Sequence, residues 1–212
     1  MKMEWRKKEK TLYLPKTIPT IIDILEFKYF MIDGKGNPND EFFAEYIAVL
    51  YSLSYGVRMS PKSGSAPAGY YEYTVYPLEG IWDISESAKQ NYTGNLDKNS
   101  LVFTLMIRQP DFVTDEFAMD IIDKIKKKKP HKLLDKVRFG IMTEGKCVQM
   151  MHLGSYDNEP DSFKKMGEFC LENNLKRISG SHKEIYLSDA RKVPPEKLKT
   201  VLRYKVESVE SR

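Results

Sequence analysis

Apolar and polar positions alternate with two periods along this chain, and the same order of periods occurs twice. In the first half, "FKYFMIDGKG" (27–36) reads as a strand running into a glycine turn. The stretch "NPNDEFFAEYIAVLYSLSYG" then places Phe43, Ile47, Leu50 and Tyr51 at helical spacing, with Asn39 or Asp40 as the expected cap. A Gly/Pro/Ser-rich loop, "MSPKSGSAPAGY", leads to two strand patterns, "YYEYTVYPLEGIWDI" and "SLVFTLMIRQP", joined by a polar loop around Asn91–Ser100. The unit is β-α-β-β.

The second half repeats that order. "KCVQMMHLGSY" is a strand ending at glycine, "DNEPDSFKKMGEFCLENNL" an amphipathic helix, and "HKEIYLSD" and "KTVLRYKVES" two further strands. Between the halves, "TDEFAMDIIDKIKKKK" carries Phe117, Ile121 and Ile125 on one helical stripe, and "DKVRFGIMTEG" is expected to pair as a hairpin with the strand after it. The turns echo each other, Gly36-Asn37-Pro38-Asn39-Asp40 against Asn158-Glu159-Pro160-Asp161. These patterns predict an α+β fold of duplicated β-α-β-β modules forming an antiparallel sheet, with helices on one face and a central ligand cleft. One domain is expected over 1–212, with pseudo-repeats over about 24–110 and 136–207 and a basic N-terminal extension.

"HKEIYLSD" poses the chemical question. A strand sends Glu184 and Tyr186 to one side and Ile185 and Leu187 to the other. If only the Ile185/Leu187 side is covered, Glu184 is solvated or paired with Lys183 or Arg191. If both sides are covered, it is a buried acid that needs a partner. Glu79, on the corresponding strand of the first half, is turn-exposed or a second pocket acid, and Trp82 and Tyr186 are either core rings or groove walls.

Composition narrows the partners. The 212 residues hold 41% hydrophobic and 30% charged side chains, as in an ordinary globular protein, with 13 Tyr, 10 Phe and 2 Trp to line a pocket. A net charge of +4 is too mild to make nucleic acid an obligatory partner. The lysine run "KIKKKKPHK" reads as the solvated end of a helix stopped by Pro130. No apolar stretch has signal-peptide or membrane-span length, so a cytoplasmic protein with no membrane partner is expected. Cys147 and Cys170 read as reduced core thiols, and the scattered His131, His152 and His182 form no metal motif with them, so neither metal nor organic cofactor is expected. "GKGNPN" lacks the glycine spacing of a phosphate loop and is a turn.

Several stretches, in order and over nearly the whole chain, resemble the stand-alone form of the GyrI-like family of small-molecule-binding proteins. They are "FMIDGKGNPN" (30–39), "AVLYSLSYGVRMSPK" (48–62), "PLEGIWD" (77–83), "LMIRQPDFVT" (105–114), "EGKCVQMMHLGSYDNEP" (144–160), "HKEIYLSDARK" (182–192) and "LKTVLRYKV" (198–206). The resemblance implies a central pocket for an aromatic, lipophilic and in some relatives cationic compound, with Glu184 as the buried glutamate facing it. It also implies pocket roles for Glu79 and Trp82, and for the turn at His152, Gly154 and Tyr156, with Tyr156 and Tyr186 stacking beside Trp82. Some stand-alone members are similar to hydrolases that open the cyclopropane ring of DNA-alkylating natural products. In that alternative Glu184 is the water-orienting base, assisted by Glu79 or Tyr156. The chain departs from the family pattern at Asp83, Lys183 and Ala190-Arg191-Lys192, each beside one of these positions.

Overall fold

In the computed structural model, which describes residues 2–91 and 94–209, two short helices, α1 (Trp5–Lys8) and α2 (Lys10–Tyr13), precede strand β1 (Thr20–Lys35). Helix α3 (Phe42–Met59), β2 (Leu78–Ile84), α4 (Glu86–Gln90), β3 (Leu101–Gln109) and α5 (Asp115–Lys128) follow. The chain continues through β4 (Arg138–Leu153), α6 (Glu159–Glu172), β5 (Leu175–Arg177), β6 (His182–Tyr186) and β7 (Lys199–Ser208). The result is an α+β fold with antiparallel ladders, as the periodicities predict.

Three local expectations are corrected. The strand expected from residue 70 shortens to Leu78–Ile84; Pro77, which cannot donate to a ladder, stands just before it, and Tyr73 makes only an isolated bridge to Met3. The hairpin expected at 135–145 is instead the opening stretch of the continuous strand β4, in which Gly145 takes a φ of +70° that a side chain would resist. Neither Asn39 nor Asp40 caps α3. The side chain of Asn37 accepts from the Asn39 N–H within the preceding turn, and Glu41 stands before the helix without a side-chain cap bond. The loop expected around Asn91–Ser100 lies, at residues 92–93, outside the described residues.

The chain forms two compact units: residues up to Glu4 with Phe27–Met142, and Trp5–Glu26 with Thr143 onward. In the first, β3 pairs with β1 and β2, so that Met31, Met106 and Glu79 lie in register. Residues directly opposite in a ladder share a face. One face carries Trp82 and Phe103 against Phe43 and Tyr46 of α3, with ring centroids 5.1 to 5.8 Å apart. A Cβ at Gly34 would run into the Phe103 ring, which is why the strand carries glycine there. The other face holds Tyr29, Met31 and Met106 with Phe27 and Ile81.

In the second unit β7 pairs with β4, β6 and β5, which puts Met150, Leu202 and Glu184 in one row and Gln149, Arg203 and Lys183 in the next. Helix α6 covers the first face, where Met166 and Cys170 pack on Val148, Met150, Leu202 and Tyr204. The opposite face buries charge. Lys183 Nζ donates to Glu144 Oε1 at 2.7 Å, and Arg203 approaches the same oxygen at 3.3 Å. Arg203 also donates to Gln149 Oε1 and to the Leu12 carbonyl, and Gln149 Nε2 donates to the Thr11 carbonyl at 2.7 Å. The N-terminal segment therefore supplies acceptors to a buried ionic cluster, while its own Trp5 and Tyr13 pack ring to ring at 5.1 Å. Burial by itself would raise the Glu144 pKa, but Lys183 and Arg203 more than offset it and hold the carboxyl below the ordinary range.

Among the described residues no helix is long and apolar enough to cross a membrane. The lysines ending α5 stand at the helix C-terminus as expected, with Lys124 paired to Asp120 and Lys126 to Asp135. Because Glu144, Lys183 and Arg203 are all nearly inaccessible, Glu144→Gln should destabilise the protein by about 3 kcal/mol or more by leaving two buried cations without this carboxylate. Urea unfolding measures the loss, and Lys192→Met at the exposed surface should change stability by less than about 0.5 kcal/mol.

Candidate functional site

Strand β6 is covered on both faces, and its alternation separates two charges. Lys183 and Ile185 point into the ionic face just described, whereas His182, Glu184 and Tyr186 point toward α6. The connection from β4 to α6 completes the site. Gly154 turns the chain with a φ of +121°, Ser155 accepts from the Asp157 N–H, and a short turn at Tyr156–Asn158 delivers Glu159 as the first residue of α6. Proline at the next position suits a helix start, since its missing N–H would have had no partner in the helix.

Two carboxyl groups and an imidazole meet there. His182 Nε2 lies 3.0 Å from Glu184 Oε1, donor to carboxylate, and Glu159 is hydrogen-bonded to Glu184 from the other side. Phe163 of α6 sets its ring edge-on to His182 at 4.7 Å, and Tyr156 and Tyr186 meet edge-to-face at 6.0 Å. Glu159 and Glu184 are 7% and 9% exposed, but Tyr156 is 36% exposed, so the site has a solvent-facing edge.

The electrostatics follow from that burial. Desolvation, the nearby Glu184 charge and the hydrogen bond to Glu184 push the Glu159 pKa up to about 10, so Glu159 is a neutral acid donating to its neighbour at pH 7. Its Oε1 is buried and accepts no hydrogen bond. Burial first, and then Glu184, Glu159 and Asp189, push the Tyr156 phenol up to about 12 and keep it a donor. Asp189, by contrast, is held down at about 2 chiefly by Arg191, which chelates it through Nε and Nη2 at 2.9 Å. One side-chain polar atom each from Glu159, His182 and Glu184 lies within 4.8 Å of the others.

The structure thus brings together Glu184, Tyr156 and Tyr186 of the residues singled out from sequence. The ion partners considered for Glu184 are corrected: Lys183 points to the other face and bonds Glu144, Arg191 bonds Asp189, and the partners of Glu184 are His182 and Glu159. Glu79 and Trp82 belong to the other unit. Glu79 is fully buried in register with Met106, and Trp82 is a core ring against Phe43 and Phe103. On β2, Trp82 rather than Glu79 lies on its unit's helix side, whereas on β6 Glu184 lies on the α6 side. The sequence pattern marks Glu159 only as a turn residue and His182 only as a scattered histidine, so neither stood out as a partner of Glu184.

The GyrI-like small molecule binding domain, as a family pattern, matches residues 18–206. The chain belongs to the GyrI-like family. Among solved structures, a hydrolase from Listeria innocua is 35% identical, covering 97% of this chain and 100% of its own, with a TM-score of 0.87. A second hydrolase structure from the same organism is 36% identical over 98% and 100%, with a TM-score of 0.88. An uncharacterized conserved protein from Listeria innocua is 36% identical over 97% and 100%, also with a TM-score of 0.88. No curated protein matches.

In this GyrI-like domain the raised Glu159 pKa carries a stability signature. The unfolded carboxyl releases its proton near 4.5 while the folded one keeps it to about 10, so between those values the native state binds the extra proton. Stability linked to this group is fully present below the lower value and declines as pH rises through the window. Glu159→Gln should flatten the fall in stability between about pH 5 and pH 9, as read from urea midpoints across that range.

Proposed function

We propose that the GyrI-like domain binds an aromatic, lipophilic cation beside β6, with Glu184 as its charge partner and Tyr156 and Tyr186 as its ring walls. The observation that carries this reading is a carboxylate buried to 9% exposure next to two tyrosine rings that reach solvent. A carboxylate in such surroundings costs several kcal/mol to desolvate unless it is compensated, and a flat cation supplies both the charge and a surface for stacking. His182 donates to Glu184 and fixes the carboxylate orientation.

Fluorescence titration with a cationic dye such as rhodamine 6G tests it. Glu184→Gln should weaken binding by about 30-fold, the equivalent of ~2 kcal/mol for a buried charge partner. An equal affinity for parent and variant would remove Glu184 from the reading.

A second reading is favoured by the neutral Glu159 beside Glu184 and by the relatives described as hydrolases. A base and an acid in hydrogen-bond contact can add water across a strained carbon–carbon bond. Glu184 takes a proton from the attacking water, the water oxygen bonds to one ring carbon, the ring bond breaks, and Glu159 protonates the atom that receives the electron pair. Incubation of a cyclopropane-bearing alkylator in H2(18)O should then yield a product heavier by one labelled water, and both Glu184→Gln and Glu159→Gln should abolish it. Recovery of unchanged compound from the parent protein leaves the binding reading alone.

A further inference from the structure

We infer that His152 and Ser162 are the positioning residues of this site: together they lock the β4–α6 connection so that Glu159 meets Glu184. His152 is the next-to-last residue of β4 and is 4% exposed. Its Nε2 lies 3.0 Å from the Ser155 carbonyl, which can only accept, so this nitrogen carries the hydrogen. Its Nδ1, 2.9 Å from Ser162 Oγ, is then the acceptor of the serine hydroxyl in the neutral ring. Ser162 is 7% exposed and lies on α6, three residues beyond Glu159 and therefore on the same side of the helix.

One imidazole thus ties the strand end to the turn on one side and to the helix on the other. The segment between those two anchors carries Tyr156 and Glu159. A further bond, from the Gly154 N–H to the Leu198 carbonyl at 3.0 Å, fixes the start of the turn. The helix can neither slide along nor rotate on the sheet without stretching the Ser162 bond, and a shift of about 1 Å is enough to pull a pair of hydrogen-bonded carboxyls out of contact. The bonds of His152 run to Ser155 and Ser162, so it acts through the backbone and helix it holds. No other pair of side chains in the connection spans strand, turn and helix in this way among the described residues.

The role rests on the proposed site, but its test reads the geometry directly. In protein labelled with carbon-13 at glutamate side chains, the Glu159 carboxyl is assigned by its loss in Glu159→Gln, and its titration is followed by NMR. The groups facing it are Glu184, Asp157, His182 and Tyr156, all retained in the variants. Ser162→Ala and His152→Phe should lower the Glu159 midpoint by at least about one pH unit, a tenfold change in proton affinity, as the two carboxyls separate. His152→Gln, which keeps a donor and an acceptor, should restore most of the parent midpoint. A fall in thermal stability with an unmoved Glu159 midpoint in both Ser162→Ala and His152→Phe would overturn the inference, reducing the pair to a merely structural contact. Because the midpoint is read without any ligand, failure of the dye titration does not bear on it; where the dye binds, Ser162→Ala should also weaken it several-fold.

Discussion

The site depends on the fact that β6 is buried on both faces while carrying ionisable residues on each. A short strand with one wet face could place Lys183 or Glu184 in solvent at little cost. Here Lys183 is enclosed with Glu144 and Arg203, and Glu184 with His182 and Glu159. The two neighbours in sequence cannot neutralise each other because strand geometry sends them apart, so each recruits partners from elsewhere in the chain. The two solutions differ in kind. On the Lys183 side two cations share one carboxylate and the arrangement is closed. On the Glu184 side an acid faces an acid, a single proton holds them together, and two tyrosines lead outward. Opposite charges enclosed together make a structural cluster; paired acids at an accessible edge are the basis of the proposed site.

Helix α6 contributes through where it begins. Its buried stripe of Met166 and Cys170 fixes it to the sheet, and its first residue then falls opposite Glu184. Residues near the start of a helix are ordinarily solvated acids that complement the macrodipole. Glu159 departs from that habit because the turn before it is tied down and its carboxyl is directed at another carboxyl, which makes it a proton donor at neutral pH. The GyrI-like fold thereby places a donor and an acceptor within one hydrogen bond of each other.

How much of this was legible in the sequence follows from the range of each interaction. The periodicities located α3, α5, α6, β3, β6 and β7, because an amphipathic element announces its own covered side. Glu184 was legible as an acid in a strand, and its burial was posed correctly as a question about the second face. That Lys183 could not be its partner was already implied by alternation. Glu159 and His182 were not legible as a pair with Glu184, since their meeting depends on how far α6 slides along β6, which no local pattern encodes. Residues 135–145 were expected to pair as a hairpin with the strand after them, yet β4 runs as one strand from Arg138 to Leu153, its later residues laddered to β7. Glu79 and Glu184 were expected on corresponding strands, and within their own units Glu79 lies on the side away from α3 while Glu184 lies on the α6 side, which the shared order of elements does not encode.

The division into two compact units does not follow sequence order, since Trp5–Glu26 is built into the unit otherwise formed from Thr143 onward. On a ribosome this segment leaves the exit tunnel well before the side chains that claim its carbonyls, Gln149 and Arg203, are synthesised. Trp5 and Tyr13 must therefore wait without their native burial while the intervening unit is made. The proposed site is consequently a late product of biosynthesis: a chain cut short before β7 has no β6–β7 ladder to hold Glu184, whatever the state of the unit already completed.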